Sequence, residues 1–166
     1  MEDSRCRVRI DGEIREYAAG TTYQAVAEDF QSRYEHQIVL AFVGRNRLQE
    51  LRKTVEEDCE IRFVTTGDSI GHATYKRSMC FLLVKAVHDV AGHDRIERVR
   101  IHFSVDKGYY CTVEGNVELT EEFLDRVSAR MRELSSEKIK IDKRGVHTQD
   151  AVEMFHRHGM YDKERL

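Results

Sequence analysis

Basic and aromatic side chains occur together at two places in the sequence. The six residues are Tyr75, Lys76, Arg77, Lys107, Tyr109 and Tyr110. Cations beside aromatic faces suit a ligand that carries a phosphate or a base. We predict that these six residues line one ligand-binding cleft. Tyrosines packed between a helix and a sheet, with solvated cations beside them, would produce the same pattern.

Catalytic motifs are absent from the sequence. A P-loop kinase holds its triphosphate in a GxxxxGK[ST] loop, and the nearest stretch, Gly67 to Gly71, has the wrong spacing and is followed by His72 and Ala73. Cys111 has no sequence neighbour that would activate its thiol, so we interpret it as a small packing residue. We therefore predict no catalytic residue in the 166 residues.

The eight histidines do not show the spacing of a metal site. His88 and His93 are five residues apart, His156 and His158 are two apart, and neither pair has a cysteine pair beside it. We predict histidines at the surface or at helix ends, with no metal ligand and no cofactor bound by these residues.

Composition and charge are those of a soluble globular protein. Apolar residues make up 40% of the chain, charged residues 34%, and the formal net charge is -3, without the basic excess common in nucleic-acid-binding proteins. The longest apolar run, Phe81 to Val84, is too short to cross a bilayer, so we expect no membrane partner. The charged start at Met1 to Arg5 and four scattered cysteines predict a cytoplasmic protein with reduced thiols.

Residues 1–66 have the pattern of a small sheet with one helix. The predicted strands are residues 6–10, 14–17, 38–43 and 60–64. Asp11-Gly12 is a turn signal between the first two strands, and Thr21 or Thr22 can cap a helix that ends near Phe30. We predict a β-grasp domain over residues 1–66.

Residues 67–166 have the pattern of a second domain, which follows a polar connector with two glycines. An apolar face from Tyr75 to Val90 predicts a long helix. Residues 99–113 predict a hairpin with Phe103 on its apolar face and His102 on its solvent-exposed face. The remaining elements are a helix capped by Thr120, a short strand at residues 138–141 and a helix capped by Thr148. The two regions together predict an α+β fold.

The first region resembles TGS domains, the β-grasp modules at the front of threonyl-tRNA synthetase and of some GTPases. Asp11-Gly12, followed by Arg15-Glu16-Tyr17-Ala18-Ala19-Gly20-Thr21-Thr22, is similar to the "DG…REFPAGTT" opening of those domains. Residues 58–65 are similar to their last strand. The resemblance implies a TGS-like domain over residues 1–66.

The second region resembles the editing-type second domain of the same synthetase. The similar segments are Phe81 to Val87, Lys107 to Tyr110, Leu119 to Glu122 and Gln149 to Phe155. In that domain, two histidines four residues apart on the first helix help to form a metal or catalytic site. Arg77 and Phe81 stand at those positions here, and neither side chain binds a metal. The resemblance implies an editing-like domain over residues 67–166 without metal ligands, which we expect to be truncated at its C-terminal end.

A further resemblance indicates a kinase. Tyr75-Lys76-Arg77-Ser78 and Gly159 to Lys163 look like the N-terminal region of bacterial uridine kinase-like nucleoside kinases, in which a P-loop kinase domain follows. The resemblance implies that this chain is the non-catalytic regulatory or ligand-binding region of such a kinase. The parent protein would use ATP and Mg to convert uridine to UMP, with its kinase domain as the partner of this region. We expect a nucleotide or RNA in the cleft.

Two alternatives stay open. One is a stand-alone tRNA-binding, RNA-binding or adaptor module related to threonyl-tRNA synthetase, in which Arg77 and its neighbours contact a tRNA end. The other is an editing hydrolase that acts on mischarged tRNA, which the side chains of Arg77 and Phe81 disfavour.

Overall fold

The computed structural model describes residues 4–106, 108–139, 141 and 143–164. It divides into two compact units, the first ending at Ser78 and the second beginning at Met79. Helices and sheets are both present, which confirms the predicted α+β class. The predicted domain limits, at residues 66 and 67, stay a prediction.

A mixed five-stranded sheet forms the centre of the first unit. Its strands are β1 (Arg5–Ile10), β2 (Glu13–Ala18), β3 (Ile38–Val43), β4 (Arg47–Glu50) and β5 (Cys59–Thr65). The order is β2-β1-β5-β3-β4, and only the β1–β5 pair is parallel. The sequence did not predict β4, because its four residues are mostly polar and show no alternation.

Helix α1 (Tyr23–Phe30) packs its apolar side chains against one face of this sheet. The strand β1 alternates between exposed and buried residues, as its sequence predicted. Thr22 is the N-cap, since its Oγ1 accepts a hydrogen bond of 3.2 Å from the backbone N–H of Ala25. Phe30, Ile10, Ile38 and Ile61 are the largest fully buried side chains of this core.

Helix α2 (Ser69–Ala91) begins six residues before the predicted start at Tyr75. The Asp68 carboxylate accepts hydrogen bonds from the backbone N–H and the hydroxyl of Thr65, and the Asp68 carbonyl accepts the first helical bond, from His72. The first turns of α2 carry few large apolar residues, so the apolar pattern did not show this start.

In its described residues, the second unit contains a hairpin, the C-terminal part of α2 and two further α-helices. After the C-terminal part of α2 come β6 (Ile96–Val105), β7 (Gly108–Gly115), α3 (Glu121–Ser136) and α4 (Thr148–Arg157). Its core is built from Ala86, Val87, Ile96, Phe123, Val127 and Leu134. Thr120 caps α3 as predicted, because its Oγ1 accepts a hydrogen bond from the backbone N–H of Phe123.

Two predictions about the second unit are wrong in detail. Lys138 lies in a turn with a φ of 52°, and neither Ile139 nor Ile141 belongs to a strand, while the remaining residue of that predicted strand lies outside the described residues. A left-handed residue ends the extended backbone that a strand needs. Thr148 is the first helical residue of α4, and His147 occupies the N-cap without a side-chain cap.

Within the described part of the chain, no helix is long and apolar enough to cross a membrane.

Candidate functional site

The predicted cleft residues of the first unit lie on exposed turns of α2. Tyr75 is 47% exposed, and the Arg77 guanidinium is at the surface, where its Nη2 donates a hydrogen bond of 3.0 Å to Thr74 Oγ1. Lys76 is half-buried and makes a contact of its own. Arg77 is therefore accessible to a ligand, and its charge is not neutralised by any ion pair among the described residues.

In the second unit, an exposed cluster of rings lies on the β6–β7 hairpin. We call His102, Phe103 and Tyr110 the aromatic patch. The ring centroids are 5.3 Å apart for His102 and Tyr110, 5.5 Å for Phe103 and Tyr110, and 6.5 Å for His102 and Phe103. Phe103 is 62% exposed and Tyr110 is 50% exposed. The patch offers aromatic faces to solvent, where a planar ligand can stack on them.

A register shift in the hairpin creates the aromatic patch. Ile101 pairs with Cys111 and Ser104 pairs with Tyr109, so that His102 and Phe103 together lie opposite Tyr110. Such a bulge disturbs the alternation of side chains between the two faces. The prediction that Phe103 lies on the apolar, packed face is therefore wrong, and the alternation pattern missed both His102 and Phe103 as candidate site residues. Their position beside two tyrosines across the hairpin was the signal that could have found them.

Polar groups border the aromatic patch. The Nε2 atom of His102 lies 2.9 Å from Thr112 Oγ1, which fixes the imidazole on this face. Arg100 is the cross-strand partner of Thr112, and its Nη1 lies 3.4 Å from an Oε1 of Glu114 in an exposed ion pair. An exposed pair of this kind contributes little to stability, so the guanidinium can exchange the carboxylate for another anion at small cost. Aromatic faces beside a guanidinium suit a stacked base with its phosphate.

Cys111 is not arranged as a nucleophile. Burial, and in addition the nearby thiol of Cys80, raises the pKa of the Cys111 thiol above its ordinary value. The neutral thiol is therefore the form present at physiological pH, and only the thiolate is a strong nucleophile. All four cysteines are free.

The six predicted cleft residues fall in different parts of the structure. Tyr75, Lys76 and Arg77 belong to the first unit, whereas Tyr109 and Tyr110 lie on β7 in the second. Lys107 lies outside the described residues. Both tyrosines of β7 are exposed, at 42% and 50%, so they are not packed in a core as the alternative interpretation required. The single cleft stays a prediction.

Candidate metal ligands do not converge in the part of the chain that the structure describes. No group of three or more His, Cys, Asp or Glu residues there has the geometry to hold a metal ion. His156 instead lies beside Glu164, with its Nδ1 atom 2.9 Å from Oε1 of that residue, and packs edge-on against Tyr161.

Comparisons with known proteins give one consistent result. The chain is 30% identical over 146 residues to a threonine–tRNA ligase of Thermotoga neapolitana, an alignment that covers 87% of this chain and 22% of the ligase. It is 27% identical over 149 residues to that of Francisella philomiragia, covering 90% of this chain and 23% of the relative. It is 26% identical over 157 residues to the ligase of Parabacteroides distasonis, covering 94% of this chain and 24% of that ligase.

The chain is thus similar along most of its length to threonine–tRNA ligases, and it spans less than a quarter of the length of these relatives. No model of a protein family matches the chain. These comparisons support the synthetase part of the resemblance found in the sequence. They do not show the link to uridine kinases.

Proposed function

We propose that the chain is a cytoplasmic RNA-binding module related to threonyl-tRNA synthetase, which binds the unpaired end of a tRNA. The observation that carries the proposal is the similarity to threonine–tRNA ligases over 87% of the chain. A module of this kind contributes recognition and leaves the chemistry to other residues. This agrees with the absence of a phosphate-binding loop from the sequence and with the protonated thiol of Cys111.

The topology of the first unit supports its interpretation as a TGS-like β-grasp domain. Its central strands β1 and β5 are parallel, with one helix between two pairs of antiparallel strands in the sequence. The chain from residue 67 onward then corresponds to the editing-like domain, in which Arg77 and Phe81 on α2 stand in place of two histidines of the homologous helix. Loss of these imidazoles leaves a surface that binds RNA without hydrolysing an ester.

The aromatic patch is the element of the site that recognises the nucleotide. An unpaired base stacks on the exposed rings of Phe103 and Tyr110, and the Arg100 guanidinium meets the adjoining phosphate. Since the chain carries a net charge of -3, we expect weak, local binding to a single-stranded end rather than binding along a duplex.

Fluorescence anisotropy with a labelled tRNA tests this proposal. We expect the chain to bind a tRNA whose 3′ end is single-stranded and to lose affinity when that end is paired with a complementary oligonucleotide. Phe103→Ala combined with Tyr110→Ala should weaken binding about tenfold, as is typical for the loss of stacking on a base. Tyr110→Phe should retain affinity, because the ring remains.

Tyr161→Ala is the matched control, since Tyr161 is an exposed aromatic residue outside the aromatic patch. It should leave the affinity unchanged. The proposal fails if the chain does not bind tRNA at low salt, or if the control weakens binding as much as the patch variants do.

The regulatory region of a uridine kinase-like protein is the alternative function. Tyr75-Lys76-Arg77-Ser78 and the segment from Gly159 to Lys163 favour it over an editing hydrolase. In that case ATP, Mg and uridine are bound by a kinase domain beyond Leu166. The natural reading frame downstream of the Leu166 codon tests this alternative, because the alternative requires that a P-loop is encoded there. Deacylation of mischarged tRNA by the purified chain would instead support the editing hydrolase.

A further inference from the structure

A cavity of about 550 Å³ lies in the second unit, apart from the aromatic patch. Its walls come from α2, the first half of β6, and the segment that follows α4. The cavity meets β6 between Ile96 and Val99, whereas the patch begins at His102. Its volume is in the range of natural small-molecule sites.

The lining of this cavity combines an apolar surface with charges of both signs. Val84, Ile96, Val99 and Met160 supply the apolar part. The carboxylates of Asp94 and Glu97 and the ammonium group of Lys163 also line the cavity.

Three charged residues of the lining do not neutralise one another, whereas Arg98 and His88, which also line the cavity, each make an interaction of their own. Among the described residues, Asp94, Glu97 and Lys163 form no ion pair, although they share one cavity. Glu114, which also lines it, is already paired with Arg100. Opposite charges that face the same space without touching leave room for a ligand that bridges them.

We infer that this cavity binds a small zwitterion with an apolar body, of the class of the apolar α-amino acids. The ligand carboxylate pairs with Lys163, the ligand ammonium group pairs with Glu97 and Asp94, and the hydrocarbon side chain covers Ile96, Val99 and Val84. A ligand with only a positive charge leaves Lys163 unpaired, and a ligand with only a negative charge leaves Glu97 and Asp94 unpaired. A zwitterion without an apolar body leaves the apolar side chains of the cavity in contact with water. The cavity does not include the aromatic patch, and the inference does not rest on the proposed RNA binding.

Isothermal titration calorimetry on the purified 166-residue chain tests the inference with four probes. Leucine carries both charges and an apolar body, isoamylamine carries only the positive charge, 4-methylpentanoate carries only the negative charge, and glycine lacks the apolar body. We expect leucine to bind at least about tenfold more tightly than each of the other three. The inference is overturned if leucine shows no binding up to about 10 mM, or binds no more tightly than its single-charge analogues.

Variants that each remove one charge test which residue binds the ammonium group of the ligand and which binds its carboxylate. Glu97→Gln should weaken leucine and isoamylamine about tenfold and leave 4-methylpentanoate unchanged, whereas Lys163→Met should weaken leucine and 4-methylpentanoate and leave isoamylamine unchanged. Glu118→Gln, an exposed carboxylate that does not line the cavity, is the matched control and should change nothing. Equal effects of Glu97→Gln and Lys163→Met on every probe would contradict the assignment. Titrations with labelled tRNA in the same buffers separate a failure here from a failure of the RNA proposal.

Discussion

Charged side chains surround one buried ring in the first unit. The guanidinium carbons of Arg15 and Arg33 lie 4.4 Å and 4.7 Å from the centroid of Phe30, which is fully buried. Hydrogen bonds from Arg15 and then from Arg33 lower the pKa of the Glu13 carboxyl. Cations held in this way stabilise the hairpin against α1. Charge alone therefore does not identify the ligand-binding residues of this protein.

Tyr34 gives a residue-scale prediction about alkaline pH. Its hydroxyl donates a hydrogen bond of 2.7 Å to an Oδ2 of Asp11, and burial together with this carboxylate raises the pKa of Tyr34 from 10.0 to about 12. Below pH 10 the side chain is neutral in both the folded and the unfolded chain. As the pH rises from 10 to about 12, the unfolded chain loses this proton first, so that the stability contributed by Tyr34 is lost.

We expect Tyr34→Phe to lower the free energy of unfolding by about 1 kcal/mol at neutral pH, because one hydrogen bond is lost. The difference between wild type and variant should shrink as the pH rises above 10, as measured by urea unfolding. Tyr161→Phe, at a tyrosine that is 63% exposed, is the control and should leave the free energy of unfolding at neutral pH unchanged. A difference that stays constant up to the highest pH measured would contradict the assigned pKa.

At the scale of elements, the start of α2 is fitted closely against the end of β5. A Cβ atom on Gly71 would lie 1.9 Å from the carbonyl oxygen of Thr65 and 3.1 Å from Val39 Cγ2. The nearer contact is with backbone, which cannot rotate away. Glycine is therefore required at this helical position by packing rather than by backbone conformation.

Gly71→Ala should therefore destabilise the first unit, although alanine is favoured over glycine in a helix by about 1 kcal/mol. Overpacking against backbone typically costs about 1–3 kcal/mol, so we expect a net loss that lowers the melting temperature. Gly145→Ala is the matched control, because no atom lies within 4 Å of its added Cβ, and it should change stability by less than about 0.5 kcal/mol. An unchanged or raised melting temperature for Gly71→Ala would refute the close packing.

Local patterns predicted most elements and failed at specific places. Thr120 was identified as a cap, and Thr22 as one of two candidate caps with Thr21, because a hydroxyl before an apolar helical face satisfies free backbone N–H groups. The early start of α2 was missed, because the Asp68 carboxylate closes the turn from Thr65 that precedes the helix through hydrogen bonds that no apolar pattern reveals. The bulge at His102 and Phe103 was missed because register depends on the partner strand.

At the scale of the whole molecule, each unit has its own core. Ile61 belongs to the cluster of the first unit, Leu134 belongs to that of the second, and the two clusters share no residue. Both side chains are 1% exposed. Since each cluster is buried within its own unit, we expect mutations in one to be felt mainly there.

Ile61→Val should reduce the protection of β1 and β3 amides in hydrogen exchange by about 1 kcal/mol and leave α3 within about 0.5 kcal/mol. Leu134→Ala should reduce the protection of α3 amides by about 2–5 kcal/mol and leave the protection of β1 and β3 amides nearly unchanged. An equal loss of protection in both units for either variant would show that the chain opens as one cooperative unit. That result would contradict two independent cores.

The sequence by itself determined the α+β class, the Thr120 cap and the similarity to threonyl-tRNA synthetase, because each depends on neighbouring residues or on their order along the chain. It also supplied Tyr110 as a candidate site residue. The tertiary structure decided that His102 and Phe103 join Tyr110 in one exposed patch, and that Asp94, Glu97 and Lys163 face one cavity. Both arrangements depend on strand register and on contacts between residues far apart in the chain, which a local pattern does not encode.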